Sequence, residues 1–114
     1  MNPVVHSEIR SDNPDEARAF YGELFGWTFP EGGMPGYAYV DLGVPNTIPG
    51  GIGPTQGGNA LTTFFVGVEN VPDALAAAER LGGRVLQPAT SVPAVTLGLF
   101  ADPQGPVVGV AAAS

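Results

Sequence analysis

DNPDEARAFYGELFGWTF, residues 12–29, is answered 57 positions later by ENVPDALAAAERLGGRVL, residues 69–86, without a gap. Asn13 falls on Asn70, Ala17 on Ala74, Ala19 on Ala76, Leu24 on Leu81 and Gly26 on Gly83, while Asp12 falls on Glu69. These matches include a helix start and the glycine that follows the helix. Two copies of a unit longer than 50 residues are too few for a solenoid, which needs at least about three to bury its core. They describe a paired motif within one domain, and they place the question of function in a cleft between or beneath the halves.

Working outward from that stretch, residues 4–10 alternate, with Val5, Ser7 and Ile9 on one face and His6, Glu8 and Arg10 on the other, as a strand does. Asp12 or Asn13 caps the first helix, Pro14 suits its first turn, and Asp15 and Glu16 favour its positive end. Ala17, Phe20, Tyr21, Leu24 and Phe25 recur at helical spacing, and Gly26 stands where a left-handed residue ends a helix. Strands are expected over residues 27–29, 37–42 and 50–53, broken by Gly32-Gly33 and Pro35-Gly36. The second half repeats the plan: a strand over 62–68, a helix over 72–81, and strands over 84–87, 95–100 and 107–110. Asp102-Pro103-Gln104-Gly105 is a turn signal, with proline second and glycine fourth. The order β-α-β-β-β therefore occurs twice, in module one (residues 1–54) and module two (residues 60–114), joined by a polar, glycine-rich linker at 54–59. A single α+β domain of 114 residues is the expectation.

Composition removes several classes of function. With 44% hydrophobic and 13% charged residues the chain is globular, and a net charge of −7 gives no basic face for nucleic acid or for a membrane surface. The lack of cysteine excludes disulfides, a thiol nucleophile and thiolate metal ligands. No run of about 18 apolar residues is present. The opening MNPVVHSEIRS lacks the regions of a signal peptide, so a cytoplasmic location is expected. Gly50-Gly51 and Gly57-Gly58 have neither the strand-loop-helix setting nor the lysine of a phosphate loop.

HSEIRSDNPDEARAFYGELFGW, then GGI, VENVPDALAAAERLGGRV and FADPQG, occur in an order and at a spacing that resemble the glyoxalase, bleomycin-resistance and ring-cleaving dioxygenase superfamily, the vicinal oxygen chelate proteins. The resemblance spans nearly the whole chain and is strongest to small bacterial glyoxalase-like proteins. It implies paired βαβββ modules in a curled, cupped sheet around a concave site, and a homodimer. The superfamily includes isomerases, dioxygenases, transferases and drug-binding proteins, so fold alone does not choose among them.

The resemblance also implies where a divalent ion would sit: one His, Glu or Gln near the start of each module's first strand and one on its last strand. His6 matches the first of these positions, and Thr63 stands at its equivalent in module two. Gly50, Gly51, Ile52 and Gly53 supply no ligand, and Gly109 stands where a carboxylate is usual. One position of four is filled, so no metal and no other cofactor is expected. Pro106 also replaces the asparagine that relatives often carry after this turn.

If the implied architecture holds, His6 and Glu8 face the concave site, with Arg10 in the same row. One reading is acid–base chemistry, with the Glu8 carboxylate raising the basicity of His6. Another is an internal Glu8–Arg10 pair beside a hydrogen-bonded His6. In module two, Phe64, Val66 and Val68 suit the helix side, leaving Thr63, Phe65 and Gly67 towards the site; Tyr37, Tyr39 and Asp41 form a further inward row. Aromatic rings beside a few polar groups suit a small, partly flat organic molecule. The expected function is metal-independent binding of such a molecule, with Arg10, Tyr39, Thr63 and Phe65 as ligand contacts. The alternative is a lyase, isomerase or dioxygenase, metal-dependent or using His6 and Glu8 as acid and base.

Overall fold

The computed structural model describes residues 1–30, 36–40, 47–55 and 57–113. Two helices and seven strands lie among them, an α+β chain, gathered into two compact units: residues 6–62, and residues 1–5 with residues 63 onward. No described helix is long and apolar enough to cross a membrane.

The first unit holds most of β1 (Val4–Ser11), α1 (Pro14–Phe25), β2 (Ala38–Tyr39) and β3 (Gly50–Pro54). β3 runs parallel to β1 and antiparallel to β2, so the strand order is β2-β3-β1. Asn13 caps α1 by accepting a hydrogen bond from the Glu16 N–H at 3.1 Å, and Gly26, at φ 71°, closes its other end. The apolar repeat of α1 does not form a core face: Phe20, Leu24 and Phe25 are all more than half exposed. The sheet available to it is the reason. β2 is two residues long, and β3 reads Gly-Gly-Ile-Gly-Pro, offering one large apolar side chain, the fully buried Ile52. The rings of Tyr21, Phe25 and Trp27 stack on one another instead. With Trp27 folded onto the helix, the strand expected at residues 27–29 reduces to a single bridge at Thr28. Asp41 and Leu42, and the breaks at Gly32-Gly33 and Pro35, lie outside the described residues.

The second unit is more regular. β4 (Leu61–Gly67) pairs parallel with β7 (Val107–Ala113), and β6 (Val95–Ala101) and β5 (Arg84–Val92) continue antiparallel in the order β4-β7-β6-β5. α2 (Val71–Arg80) is capped by Asn70, which accepts from the Asp73 N–H at 2.8 Å. It buries Val71 and Leu75 against Val110, with Val68, Ala74, Val85, Phe100 and Ala112 around them. Phe64 shares the alternation of Val66 and Val68 but remains exposed. Gly98 is needed beneath the helix, since a Cβ there would lie 2.8 Å from Leu75 Cδ1. β5 continues five residues past the expected stop at Gln87, because bulges between Val85 and Thr90 absorb Pro88, which has no N–H to give the ladder. The 102–105 turn forms as expected, with Asp102 Oδ1 accepting from the Gln104 and Gly105 N–H groups. Pro106 lacks a donor, yet its carbonyl accepts from the Asp102 N–H at 2.9 Å.

Candidate functional site

On β1 the usual preference is reversed: the charged side chains are inside. Glu8 and Arg10 are each 6% exposed, whereas Val5 is exposed and Ile9 half-buried. Buried charges require partners, and these two have each other, with Arg10 Nε donating to Glu8 Oε2 at 2.6 Å. Residues two apart on a strand share a face, which makes the pair possible without a turn. In the parallel register Glu8 lies beside Gly51 and Arg10 beside Gly53.

Those glycines make room for Tyr37. A Cβ on Gly53 would lie 2.7 Å from the ring's Cδ2, and one on Gly51 would fall inside the ring's own van der Waals envelope. The phenol thus lies across β3 beside the ion pair. Its hydroxyl is 2.7 Å from His6 Nε2, within hydrogen-bond distance. The rings of Tyr37 and His6 are stacked, and Tyr39 meets both edge-on. His6, Tyr37, Glu8 and Arg10 form one polar row.

Burial is the largest influence on its titration. It holds His6 below the usual 6.5, against a smaller upward pull from Glu8. It pushes the Tyr37 phenol far up, helped by the charge of Glu8 and partly opposed by Arg10. Glu8 does pull His6 upward, as expected of a neighbouring carboxylate, but desolvation outweighs it.

In the other unit the equivalent positions are differently filled. Thr63, 57 residues on from His6, is buried and donates its hydroxyl to the Val107 carbonyl at 2.8 Å. Phe65, 57 on from Glu8, pairs with Gly109 and is 2% exposed. Its ring covers that glycine, leaving no space for a Cβ. Each half therefore sets an aromatic ring over a glycine of its last strand, Tyr37 over Gly51 and Phe65 over Gly109. A divalent ion needs several N or O donors converging. Within each half no such set is offered: His6 Nε2 is bonded to Tyr37, the Thr63 hydroxyl to Val107, and β3 and β7 present no donor side chain. Among the described residues no three His, Asp or Glu side chains gather to hold an ion. These residues do not fit a metal centre.

Of the residues singled out from sequence, His6, Glu8, Arg10 and Tyr39 are brought together in the first unit, with Tyr39 42% exposed. Thr63 and Phe65 belong to the second unit, and Asp41 lies outside the described residues. Tyr37 is the member that sequence reasoning placed in an inward row without giving it a role. The signal was present in Gly51 and Gly53, alternate glycines that leave one strand face open for a large neighbour. Cavities reach two members of the row, one of about 150 Å³ at Glu8 and a larger one of about 500 Å³ reaching Arg10 beside Phe20 and Tyr21.

The twofold arrangement of strand, helix and strands defines an α+β protein of the glyoxalase/bleomycin resistance/dioxygenase superfamily. The glyoxalase-like domain family matches residues 6–111, and the chain belongs to that family. No curated protein matches the sequence. Among solved structures, the fold is similar to an NAD-dependent benzaldehyde dehydrogenase from Legionella pneumophila at TM-score 0.66 and 15% identity, covering 96% of this chain and 98% of that one. A glyoxalase/bleomycin resistance protein/dioxygenase superfamily member from Vibrio splendidus 12B01 matches at 0.61 and 12%, covering 100% of both chains. Methylmalonyl-CoA epimerase from Mycobacterium tuberculosis matches at 0.62 and 13%, covering 97% of this chain and 87% of that one. At these identities the likeness is one of fold.

Proposed function

We propose that the chain is a metal-independent small-molecule-binding protein of this superfamily, its ligand recognised by the His6–Tyr37–Glu8–Arg10 row. The observation that carries this reading is the burial of an ion pair on β1. Replacing such a pair by well-packed apolar side chains is often neutral or stabilising by about 1–4 kcal/mol, so the fold itself has little need of it. Cavities at Glu8 and Arg10 give a ligand access to the row, and about 500 Å³ suits a small organic molecule. Metal independence is supported by the rings over Gly51 and Gly109.

Two measurements test this. Protein purified without chelators should carry far less than one equivalent of zinc, iron, manganese or nickel by elemental analysis; a stoichiometric ion would overturn the metal-free reading. A library of small aromatic acids, phenols and amides screened by ligand-detected NMR should give hits that weaken roughly tenfold or more in His6→Ala and Glu8→Gln, a loss of about 1.4 kcal/mol or more. Unchanged hits in both folded variants would remove the row from the binding site.

One observation favours a second reading, acid–base catalysis. A half-buried imidazole held below its usual pKa favours the unprotonated form at neutral pH, which can take a proton. Solvent deuterium entering a bound ligand, and lost in His6→Ala, would mark that reading. We further propose a homodimer, supported by the apolar Phe20, Leu24 and Phe25 exposed on α1.

A further inference from the structure

We propose that the second half carries a ligand site of its own, between α2 and its sheet, which takes a small uncharged apolar molecule. It is separate from the polar row, all of whose members lie in the first half. A cavity of about 390 Å³ opens beside α2. Ala74, Ala77 and Ala78 form its helix wall, and Val66, Val68, Phe100 and Val110 its strand wall. The repeat shows that the place is built into the fold. Ala74, Ala77 and Ala78 stand 57 residues on from Ala17, Phe20 and Tyr21, and Val66 and Val68 from Ile9 and Ser11. Those first-half residues all line the cavity of about 500 Å³ beside α1. The chemistry is what differs. Where the first half sets two aromatic rings and the Ser11 hydroxyl, the second sets two methyl groups and a valine.

The helix cannot sink to close this gap. Val71 and Leu75 already pin α2 to the sheet, 1% and 5% exposed, and a Cβ on Gly98 would lie 2.8 Å from Leu75 Cδ1. The alanine methyls beside them are too short to fill what remains. Among the described residues Asp102 is the one charged group on the wall, and its Oδ1 is engaged by the Gln104 and Gly105 N–H groups. Asn2, also on the wall, is exposed. A charged ligand would therefore lose its water without gaining a partner, whereas apolar cavities accept molecules such as benzene. Of the large apolar side chains lining the cavity, only Leu81 is exposed, at 76%. A partner protein would need about 800 Å² of surface on this side. Recessed walls with a single apolar rim residue suit a molecule that enters, not a surface laid across.

Toluene tests this directly. Titrated into alanine-methyl-labelled protein, it should shift the methyl resonances of Ala74, Ala77 and Ala78 saturably. Benzoate and benzylammonium should bind there at least about tenfold more weakly, since either would bury an unpaired charge. Ala77→Phe, which installs the first half's residue, should weaken toluene at least about tenfold while the far-ultraviolet circular dichroism is retained. Unmoved methyls up to the solubility limit of toluene overturn the proposal, as do shifts that fall instead on Ala17 and Ala60 of the first-half cavity. Benzoate or benzylammonium binding as tightly as toluene overturns the uncharged class, and unchanged toluene affinity in folded Ala77→Phe overturns the site. Movement of the same methyls when the protein alone is diluted would give the groove to a second copy, and overturns it too. The wild-type titration decides alone should the variant not fold.

Discussion

Burial removes water that would solvate an imidazolium at His6 and holds its pKa below the ordinary value, against a smaller upward pull from Glu8. The consequence for stability has a definite sign. The folded pKa lies below the unfolded value near 6.5, so between the two the unfolded chain binds more protons and stability rises with pH. The contribution is complete above 6.5 and is lost as pH falls from there through the folded pKa. Thermal unfolding followed from pH 8 to 5 should show a fall that His6→Gln reduces; identical profiles would mean that His6 does not titrate differently on folding. Tyr37 lies 2.7 Å from the ring, Tyr39 meets it edge-on, and Glu8, paired with Arg10, lies close enough to act on it through its charge. At this scale the period-2 alternation of residues 4–10 made the polar row legible. It could not reveal Tyr37, because that ring's seat depends on a glycine strand more than ten residues away in sequence.

The helices were legible nearly residue by residue, since Asn13, Pro14 and Gly26 mark one and Pro72 and Gly82 the other, all through local backbone chemistry. Strand ends were less so. The strand expected to stop at Gln87 continues past Pro88 through a bulge, and the apolar run of residues 107–113 has no period to set its end. The helical spacing of α1 reports a face and says nothing of how much sheet is there to receive it, and Phe20, Leu24 and Phe25 stay exposed. The ring-over-glycine contacts yield a direct test at this scale. Gly51→Ala should destabilise by about 1–3 kcal/mol through overpacking, and Tyr37→Ala by about 3–5 kcal/mol, as for other large-to-alanine changes. The double variant should lose less than the sum by about 0.5–3 kcal/mol, because removing the ring makes space for the methyl group. Strict additivity in urea denaturation would mean that the ring does not lie over Gly51.

For the whole molecule, the repeat at residues 12–29 and 69–86 made the duplicated plan legible, and the contrast of His6 with Thr63 already marked the halves as unequally filled. Net charge and exposed apolar surface pull association in opposite directions. Each chain carries −7, which disfavours self-association at low ionic strength, and α1 presents Phe20, Leu24 and Phe25. Sedimentation equilibrium at micromolar concentration should therefore show a dimer that tightens as salt screens the charge. Leu24→Asp should give monomers with unchanged circular dichroism. A wild-type monomer at every salt concentration would remove α1 as a self-association surface.

The aromatic lids over Gly51 and Gly109 bear on how such a chain could evolve. Installing a carboxylate at either glycine first would collide with a ring, and deleting the ring first would leave a void in the interior. Acquiring ion chemistry would thus demand two coordinated replacements in each half, with the earlier one disfavoured whichever it is. Drift towards new organic ligands, which only reshapes the walls around the polar row, meets no such barrier.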